Sequence, residues 1–446
     1  MVIECGVNPV RMVLKYSCRA GYFFEASAVN LKANMLQRSR EFIKTVFSEY
    51  YHGVTMAYAP PNVENREFGF LKFDEQGMIR HLGFKSESEL KAFLRRTVPS
   101  NAYYSCAYYQ RPDAVMDGKG WIGADLIFDI DADHIPTPCG KVHDEWTCCD
   151  CGFVGKGLTS EECPVCGGQK FNVKTWPCEE CLNSAKAEAV KLLDMLQHDF
   201  GFSENEIHIF FSGHRGYHIH IENETVKTFD AVARKEIVDY VCCTGLDAGF
   251  CDLNDKRPRM VRFPSTLRLD DLGWRGRLAR GVYDFVLKAE ENDYKRIGLD
   301  KKTIEILRRN TKLILKNWDD VGPYKATRDV GFETWRKIVE SRVDILSAKV
   351  DTVVTIDIHR LIRLTGTLHG KTGLRKIEFP ISTIETFDPF LSAVAFKKGT
   401  VSVFVSDAPE FRLGNEIFGP FKNQRVELPT AAAVLLICKN RAEVVE

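Results

Sequence analysis

Apolar positions between residues 27 and 50 recur at near-helical spacing. Val29, Leu31, Met35, Leu36, Phe42, Ile43, Val46 and Phe47 are broken by polar residues and predict an amphipathic helix. From Arg66 to Phe73 the period shortens to the alternation of a strand. Ser86-Glu-Ser-Glu89 has the form of a capping box opening a helix over Glu87–Thr97. The aromatic run Ala102–Tyr109 reads as β structure. The turn after it contains Gly118-Lys-Gly120-Trp-Ile-Gly123, which satisfies G-x-G-x-x-G. It precedes a strand, whereas a dinucleotide fingerprint must follow one and open a helix, so the match is accidental.

The next strand, Asp-Leu-Ile-Phe-Asp-Ile-Asp-Ala-Asp over 125–133, places Asp129 and Asp131 on one face and Leu126, Phe128 and Ile130 on the other. Residues 134–181 lose apolar periodicity and are rich in Gly, Pro and Cys, the composition of a metal-held insertion. Asn183 is positioned to cap a helix with Ala189, Val190, Leu193, Leu196 and Phe200 on one face. Two short alternating runs, Ile207–Phe211 and Tyr217–Ile221, joined by Ser212-Gly-His-Arg-Gly216, form a hairpin signature. A helix follows over about 229–243. Residues 284–347 are helical by pattern, with one stripe of Ile304, Leu307, Ile314, Leu315 and Trp318 and another of Trp335, Ile338, Val339, Val343 and Ile345. Val350–Ile358 reads as a buried strand, and Ile377 to the end as mixed β structure with a terminal strand or helix. No internal repeat or low-complexity tract occurs.

With 446 residues, the chain has room for two or three domains or inserted modules. Its 61 basic residues balance 61 acidic ones, so bulk charge does not advertise a nucleic-acid partner and local clusters must do so. The segment 256–280 is such a cluster, with Lys256, Arg257, Arg259, Arg262, Arg268, Arg275, Arg277 and Arg280 against Asp270 and Asp271. The first residues lack the basic region and apolar run of a signal peptide. The longest apolar run, Ala431–Cys438, is too short to span a bilayer. The expectation is no membrane and a cytoplasmic protein, or a nuclear one in a cell with a nucleus.

Of the 15 cysteines, eight fall between Cys139 and Cys181. That clustering fits metal binding in a reducing compartment better than a secreted disulfide scaffold. Cys148-x2-Cys151 and Cys163-x2-Cys166, each followed by Gly, have the spacing of two knuckles closing a tetrahedral thiolate site. Cys178-x2-Cys181 then finds its nearest complement in Cys139 and His143, a Cys3His set in which His134 or Cys149 could replace a ligand. Neither set keeps an obvious open position, which points to structural zinc.

Three further stretches carry chemistry. The paired carboxylates Asp129 and Asp131 would repel one another without a cation, and hard oxygen ligands suit Mg²⁺ or Mn²⁺. In Ser212-Gly213-His214-Arg215-Gly216-Tyr217-His218, glycines let backbone N–H groups approach phosphate oxygens, and an arginine fork can grip them. In Asp351–Leu374, Gly370-Lys371-Thr372 suggests a P-loop, but position 365, which requires Gly, is Thr, so Walker A is rejected. What remains is a carboxylate followed by Arg360, Arg363, His369 and Lys371, suited to polyphosphate or a nucleic-acid backbone.

Taken together, Arg66-Glu-Phe-Gly-Phe70, Tyr104-Ser105, Phe128-Asp-Ile-Asp131, Ser212–His218, and Asp351 with Arg360-Leu-Ile-Arg-Leu-Thr-Gly-Thr-Leu-His-Gly-Lys-Thr-Gly373 resemble the catalytic small subunit of archaeal and eukaryotic DNA primase, and an archaeal member most. The likeness spans about residues 20–400. It implies an α+β primase (prim) fold with an inserted zinc-binding module and an inserted all-helical subdomain. On that reading 1–133, 182–283 and 348–446 form the catalytic domain, 134–181 the zinc insertion and 284–347 the helical subdomain. The resemblance further implies that Asp129, Asp131 and Asp351 hold two catalytic Mg²⁺ or Mn²⁺ ions, with Asp357 as the alternative third carboxylate. Ser212, Arg215 and His218, with Gly213 and Gly216 in the same turn, would hold the triphosphate, and Arg66, Arg360, Arg363, His369 and Lys371 would line the same pocket. A zinc knuckle is implied near the active site. The Cys148–Cys166 ribbon departs from the family pattern as an insertion within that knuckle.

The expected activity is de novo synthesis of short primers on single-stranded DNA from nucleoside triphosphates, in a heterodimer with a primase large subunit. Template and nucleotide contacts are expected from 256–280 and 360–371. Two rivals stand beside it: a repair or translesion polymerase of the same superfamily that only extends primers, and a non-catalytic zinc-ribbon subunit that binds nucleic acid. A metal-dependent nuclease is more distant, since it needs no triphosphate cradle.

Overall fold

A computed structural model describes residues 22–53, 59–73, 75, 77–246, 267–319, 323, 327 and 329–445, with side chains from residue 35 onward apart from that of Phe332. Its contacts divide the chain into two compact units, one of residues 1–187, 205–231 and 351–446, the other of 188–204 and 232–350. Among the described residues the first holds all the strands and the second is helical.

In the first unit, helix α1 (Tyr22–Gly53) buries Ile43, Val46 and Phe47, the apolar stripe of its sequence. Strands β1 (Phe68–Leu71) and β2 (Met78–Leu82) pair antiparallel. Helix α2 (Glu87–Thr97) starts where expected: Ser86 accepts from the Glu89 N–H, while the Glu89 carboxylate reaches back to the Lys85 N–H. The aromatic run splits into β3 (Asn101–Ser105) and β4 (Ala107–Tyr109), and β4 pairs with β5 (Trp121–Ala124). Strand β6 (Leu126–Asp131) alternates as its residues require, with Phe128 and Ile130 buried and Asp129 and Asp131 half-buried on the other face.

Residues 145–174 form a small antiparallel sheet, β7 (Glu145–Cys148) flanked by β8 (Val154–Lys156) and β9 (Phe171–Lys174). Helix α3 (Glu179–His198) begins four residues before the expected Asn183 cap. The reason is local: the Cys178 sulfur accepts from the Cys181 N–H at 3.3 Å and the Cys178 carbonyl from the Leu182 N–H, so the C-x2-C turn itself opens the helix. Strands β10 (Ile207–Phe211) and β11 (Gly216–Ile221) form the expected hairpin.

The second unit contains α4 (Ala231–Val241, whose first residue belongs to the other unit), α5 (Gly273–Lys288), α6 (Glu291–Arg296), α7 (Lys301–Lys316) and α8 (Phe332–Leu346). Of the two apolar stripes read from the sequence, Ile304, Leu307, Ile314 and Trp318 of the first and Trp335, Ile338 and Val339 of the second are buried, whereas Ile345 is exposed. The unit takes in α4 and α5, and so starts well before residue 284. Of the basic segment 256–280, residues 256–266 lie outside the described residues. The rest is engaged locally: Arg268 pairs with Asp270, Arg275 with Asp271, and buried Arg277 with Asp194 and Asp199.

Back in the first unit, the strand expected over 350–358 is instead a short helix, α9 (Thr352–Ile356). The Asp351 carboxylate caps it by accepting from the Val353 N–H at 3.0 Å, and Val353 is exposed, so the apolar run never forms a buried strand. Strand β12 (Leu361–Arg363) adds to the edge of β3, giving a sheet in the order β12-β3-β1-β2. Strand β13 (Ile377–Phe379) completes a second sheet in the order β13-β10-β11-β6. The C-terminal part is β14 (Thr400–Ala408), a small hairpin of β15 (Phe411–Leu413) and β16 (Glu416–Phe418), β17 (Phe421–Pro429), helix α10 (Thr430–Cys438) and β18 (Ala442–Val444), so both a terminal helix and a terminal strand are present.

Candidate functional site

The site grows from one antiparallel ladder. Pairing of β6 with β11 sets Gly216 opposite Asp131 and His218 opposite Asp129. Directly opposed residues project to the same face of a sheet, and His218 Nε2 stands 3.5 Å from Asp129 Oδ1. Only glycine fits at 216, because a Cβ there would lie 2.3 Å from the Ile130 carbonyl oxygen. Strand β6 is the edge of its sheet, and Asp351 docks on that edge with its N–H donating to the Asp129 carbonyl at 2.8 Å. A residue more than 200 positions away thus arrives beside the acidic pair.

Burial first, then the negative charges of Asp131 and Asp351, pushes the Asp129 carboxyl up to about 7. Burial likewise raises Asp131, against the pull of Arg215, His134, Lys141 and Lys371. The negative charge of Asp351 bears on Asp129, while both candidates for the third carboxylate also accept locally, Asp351 from the Val353 N–H and Asp357 from the His359 N–H. Carboxylates that raise one another's proton affinity suit a hard divalent cation, which would relieve their repulsion. Among the described residues, only the cysteine clusters bring three or more ligand atoms within 4.8 Å of one another, so the carboxylate oxygens stand wider apart than that.

Asp129, Asp131, Ser212, His218, Arg360, Arg363 and His369 line a single cavity of about 190 Å³, with His214 and Tyr103 in its wall. Gly213, at φ +85°, shapes the turn behind it. Arg363 is aimed by Asn101 Oδ1, which accepts from it at 2.6 Å and also from the Gly370 N–H at 3.1 Å. His369 Nδ1 accepts from the Lys371 N–H at 3.0 Å, leaving Nε2–H as its donor. Burial, followed by the nearby cations, holds His214, His218 and His369 well below the usual imidazole range, so all three are neutral near pH 7. Lys371 is exposed and does not line the cavity, though its charge bears on Asp131.

Two arginines are placed differently from expectation. Arg66 is fully buried and does not line the cavity: its guanidinium donates to Asp125 at 2.6 Å and to the Pro61, Ser105 and Cys106 carbonyls, and it stacks 3.5 Å from the Tyr108 ring centroid. It braces the β1–β4 region. Arg215 is also buried, and its terminal nitrogens donate to Asp144, Asp133 and the Trp176 carbonyl. The sequence motif places both at the triphosphate, since motif spacing does not show where a guanidinium is engaged.

Other groups were missed. Lys376 is buried, donates to the Arg363 carbonyl at 2.9 Å, and is pulled down to about 7 by burial and by Arg363. Lys439, just past α10, is pulled down to about 7 by burial and by Arg215, and lies 2.7 Å from His214 Nε2. No local sequence signal marks either lysine, since each is brought in by tertiary packing.

The cysteines and His143 gather as two clusters, Cys139, His143, Cys178 and Cys181 in one and Cys148, Cys151, Cys163 and Cys166 in the other. His134 and Cys149 belong to neither. Tetrahedral zinc with Zn–S bonds of about 2.3 Å sets sulfurs roughly 3.8 Å apart. Cys139 lies 3.8 Å from Cys178 and 3.7 Å from Cys181, and the pairs Cys148–Cys166 and Cys151–Cys163 are each at 3.6 Å. Both donor sets therefore fit such an ion.

Comparison with known proteins defines the class. The profile of the DNA primase small subunit family matches residues 174–381, which include the hairpin turn and the 351–374 stretch. The DNA primase small subunit of Nitrosopumilus maritimus is 32% identical over 405 residues, covering 91% of this chain and 98% of its own. That of Methanothrix thermoacetophila is 34% identical over 431 residues, covering 92% and 100%, and that of Archaeoglobus fulgidus is 34% identical over 405 residues, covering 90% and 97%. The chain belongs to the DNA primase small subunit family. Within it, the chain is a catalytic subunit of archaeal type. No helix among the described residues is long and apolar enough to cross a membrane.

Proposed function

We propose that this chain starts primers de novo on single-stranded DNA, joining nucleoside triphosphates at the cavity between β6, the 212–218 turn and the 360–369 stretch. The observation that carries the reading is the docking of the Asp351 backbone on the Asp129 edge of β6, which brings a third carboxylate beside the two that line a cavity walled by two arginines and neutral imidazoles. Asp129, Asp131 and Asp351 would hold two divalent ions, Mg²⁺ or Mn²⁺, which supply charge neutralisation on the polyphosphate and activation of the attacking hydroxyl. Positioning and electrostatics dominate phosphoryl transfer. The side chains do that work here: Arg360 and Arg363 present forks to phosphate oxygens, His369 Nε2–H donates as a neutral group, and His218 orients the Asp129 carboxylate. The two cysteine clusters would each hold one structural zinc.

The mixed α/β unit of residues 1–187, 205–231 and 351–446 would carry the prim fold, and the helical unit of 188–204 and 232–350 the inserted subdomain. Association with a primase large subunit and a cytoplasmic setting go with membership of the archaeal family. The decisive test is incorporation of labelled ribo- and deoxyribonucleotides on unprimed and primed single-stranded templates with Mg²⁺ or Mn²⁺. Short products on the unprimed template are expected. Extension of primed template alone would favour the translesion rival, and no incorporation on either the non-catalytic one.

A further inference from the structure

Arg215 stands between the nucleotide cavity and the first cysteine cluster, and its partners trace a continuous path between them. At the metal end, His143 Nε2 lies 3.4 Å from Cys139 Sγ and 3.5 Å from Cys181 Sγ, on the cluster side, while Nδ1 faces Asp144 Oδ1 at 2.8 Å. That is the arrangement by which a ligand histidine has its tautomer and ring orientation set by a carboxylate behind it. Asp144 is itself buried, 3% exposed, and has further partners. It accepts from the Trp176 N–H at 2.8 Å and, with both oxygens, from Arg215 at 2.9 and 3.0 Å. Arg215 continues to Asp133, whose N–H donates to Asp131 Oδ1 at 2.9 Å, and the Arg215 carbonyl accepts from the Ala132 N–H at 3.2 Å. Lys141, from the same insertion and also buried, holds the Asp133 carbonyl at 2.7 Å.

We propose that Asp144 is a positioning residue through which the Cys139–His143–Cys178–Cys181 metal cluster holds the 212–216 turn and Asp131 in the geometry that accepts a nucleoside triphosphate. The inference rests on reading the cavity as a triphosphate site. It separates the roles of the two clusters. In the Cys148–Cys151–Cys163–Cys166 cluster every ligand is a cysteine, and among the described residues no equivalent carboxylate relay leads to the turn, so the coupling is assigned to the first cluster alone.

Coupling between two sites is reciprocal. If metal occupancy favours nucleotide binding, then bound nucleotide must retard metal loss, and a purely structural zinc knuckle would show no such effect. The test uses the full chain loaded with zinc, challenged with a chromogenic chelator in the presence and absence of ATP, with ATP binding followed independently by calorimetry. Two zinc equivalents are expected to leave, one of them slowed about 5- to 10-fold by saturating ATP and the other unaffected. Asp144→Asn should abolish the slowing, speed release of the same equivalent roughly 10-fold, and raise the KM for nucleotide with kcat within about twofold. Asp144→Glu should restore part of each effect. Cys163→Ser should remove the insensitive equivalent and leave the ATP effect intact.

ATP that binds without slowing either equivalent would overturn the coupling while leaving the proposed activity standing. ATP that does not bind at all would overturn both. The wild-type measurement needs no variant, so poor folding of Asp144→Asn cannot shield the proposal.

Discussion

His218 and Asp129 face each other across the β11–β6 ladder, with His218 Nε2 3.5 Å from Asp129 Oδ1. The imidazole is neutral and its Nδ1 is buried without a hydrogen-bond partner. A neutral imidazole adds no positive charge beside Asp129, whose carboxyl stays raised to about 7 until a cation takes the proton's place. Asp129→Asn or Asp131→Asn should cut nucleotide incorporation by at least 100-fold, with circular dichroism and zinc content unchanged. A double Asp129→Ala, Asp131→Ala variant that incorporates nucleotides normally would remove the assignment of this site.

The raised Asp129 carboxyl makes a signed prediction for the chelator-treated protein. Its ordinary value is 3.8 and its folded value about 7. Below about pH 4 the group is protonated in both states. Between about 4 and 7 the unfolded chain gives up its proton while the folded one retains it, so stability falls as pH rises through that window and levels off above it. Asp129→Asn removes this dependence. The variant should gain relative to its parent between pH 4 and pH 8 by on the order of 2 kcal/mol, the shift being discounted for partial exposure. Thermal unfolding at the two pH values measures it, and excess Mg²⁺ should narrow the difference at pH 8.

Arg66 and Arg360 should fail in different ways. Arg66→Ala strands the buried Asp125 carboxylate and should cost about 3–5 kcal/mol of stability, so any activity lost follows the unfolding curve. Arg360→Ala should leave melting nearly unchanged and raise the KM for nucleotide about 10-fold or more. Similar KM effects from both variants at a temperature where both are folded would put Arg66 back at the triphosphate.

The wild-type chain should carry two zinc equivalents. Cys148→Ser or Cys163→Ser should lower that to one and loosen only the sheet of β7, β8 and β9, read as faster hydrogen exchange confined to residues 145–174. One equivalent in the wild type would contradict the second site.

Some features of this protein are decided within a few residues, and those the sequence determined by itself. The alternation in 126–131 puts Asp129 and Asp131 on one face because side chains on a strand alternate, and the C-x2-C spacings fix both knuckles because each closes over a short turn. The hairpin of β10 and β11, the helix capped by Ser86 and the apolar stripes of α7 and α8 follow from equally local rules. What only the tertiary structure decided are the relations between distant segments. The capping carboxylate of Asp351 made α9 a helix where the apolar run read as a strand, and the open edge of β6 brings the Asp351 backbone beside Asp129. Burial decided which arginines remain available to a ligand: Arg360 and Arg363 reach the cavity, whereas Arg66 and Arg215 are consumed by Asp125 and by Asp133 and Asp144. A motif records the type and spacing of its charges; the partner each charge meets depends on which remote carboxylate the fold delivers to it.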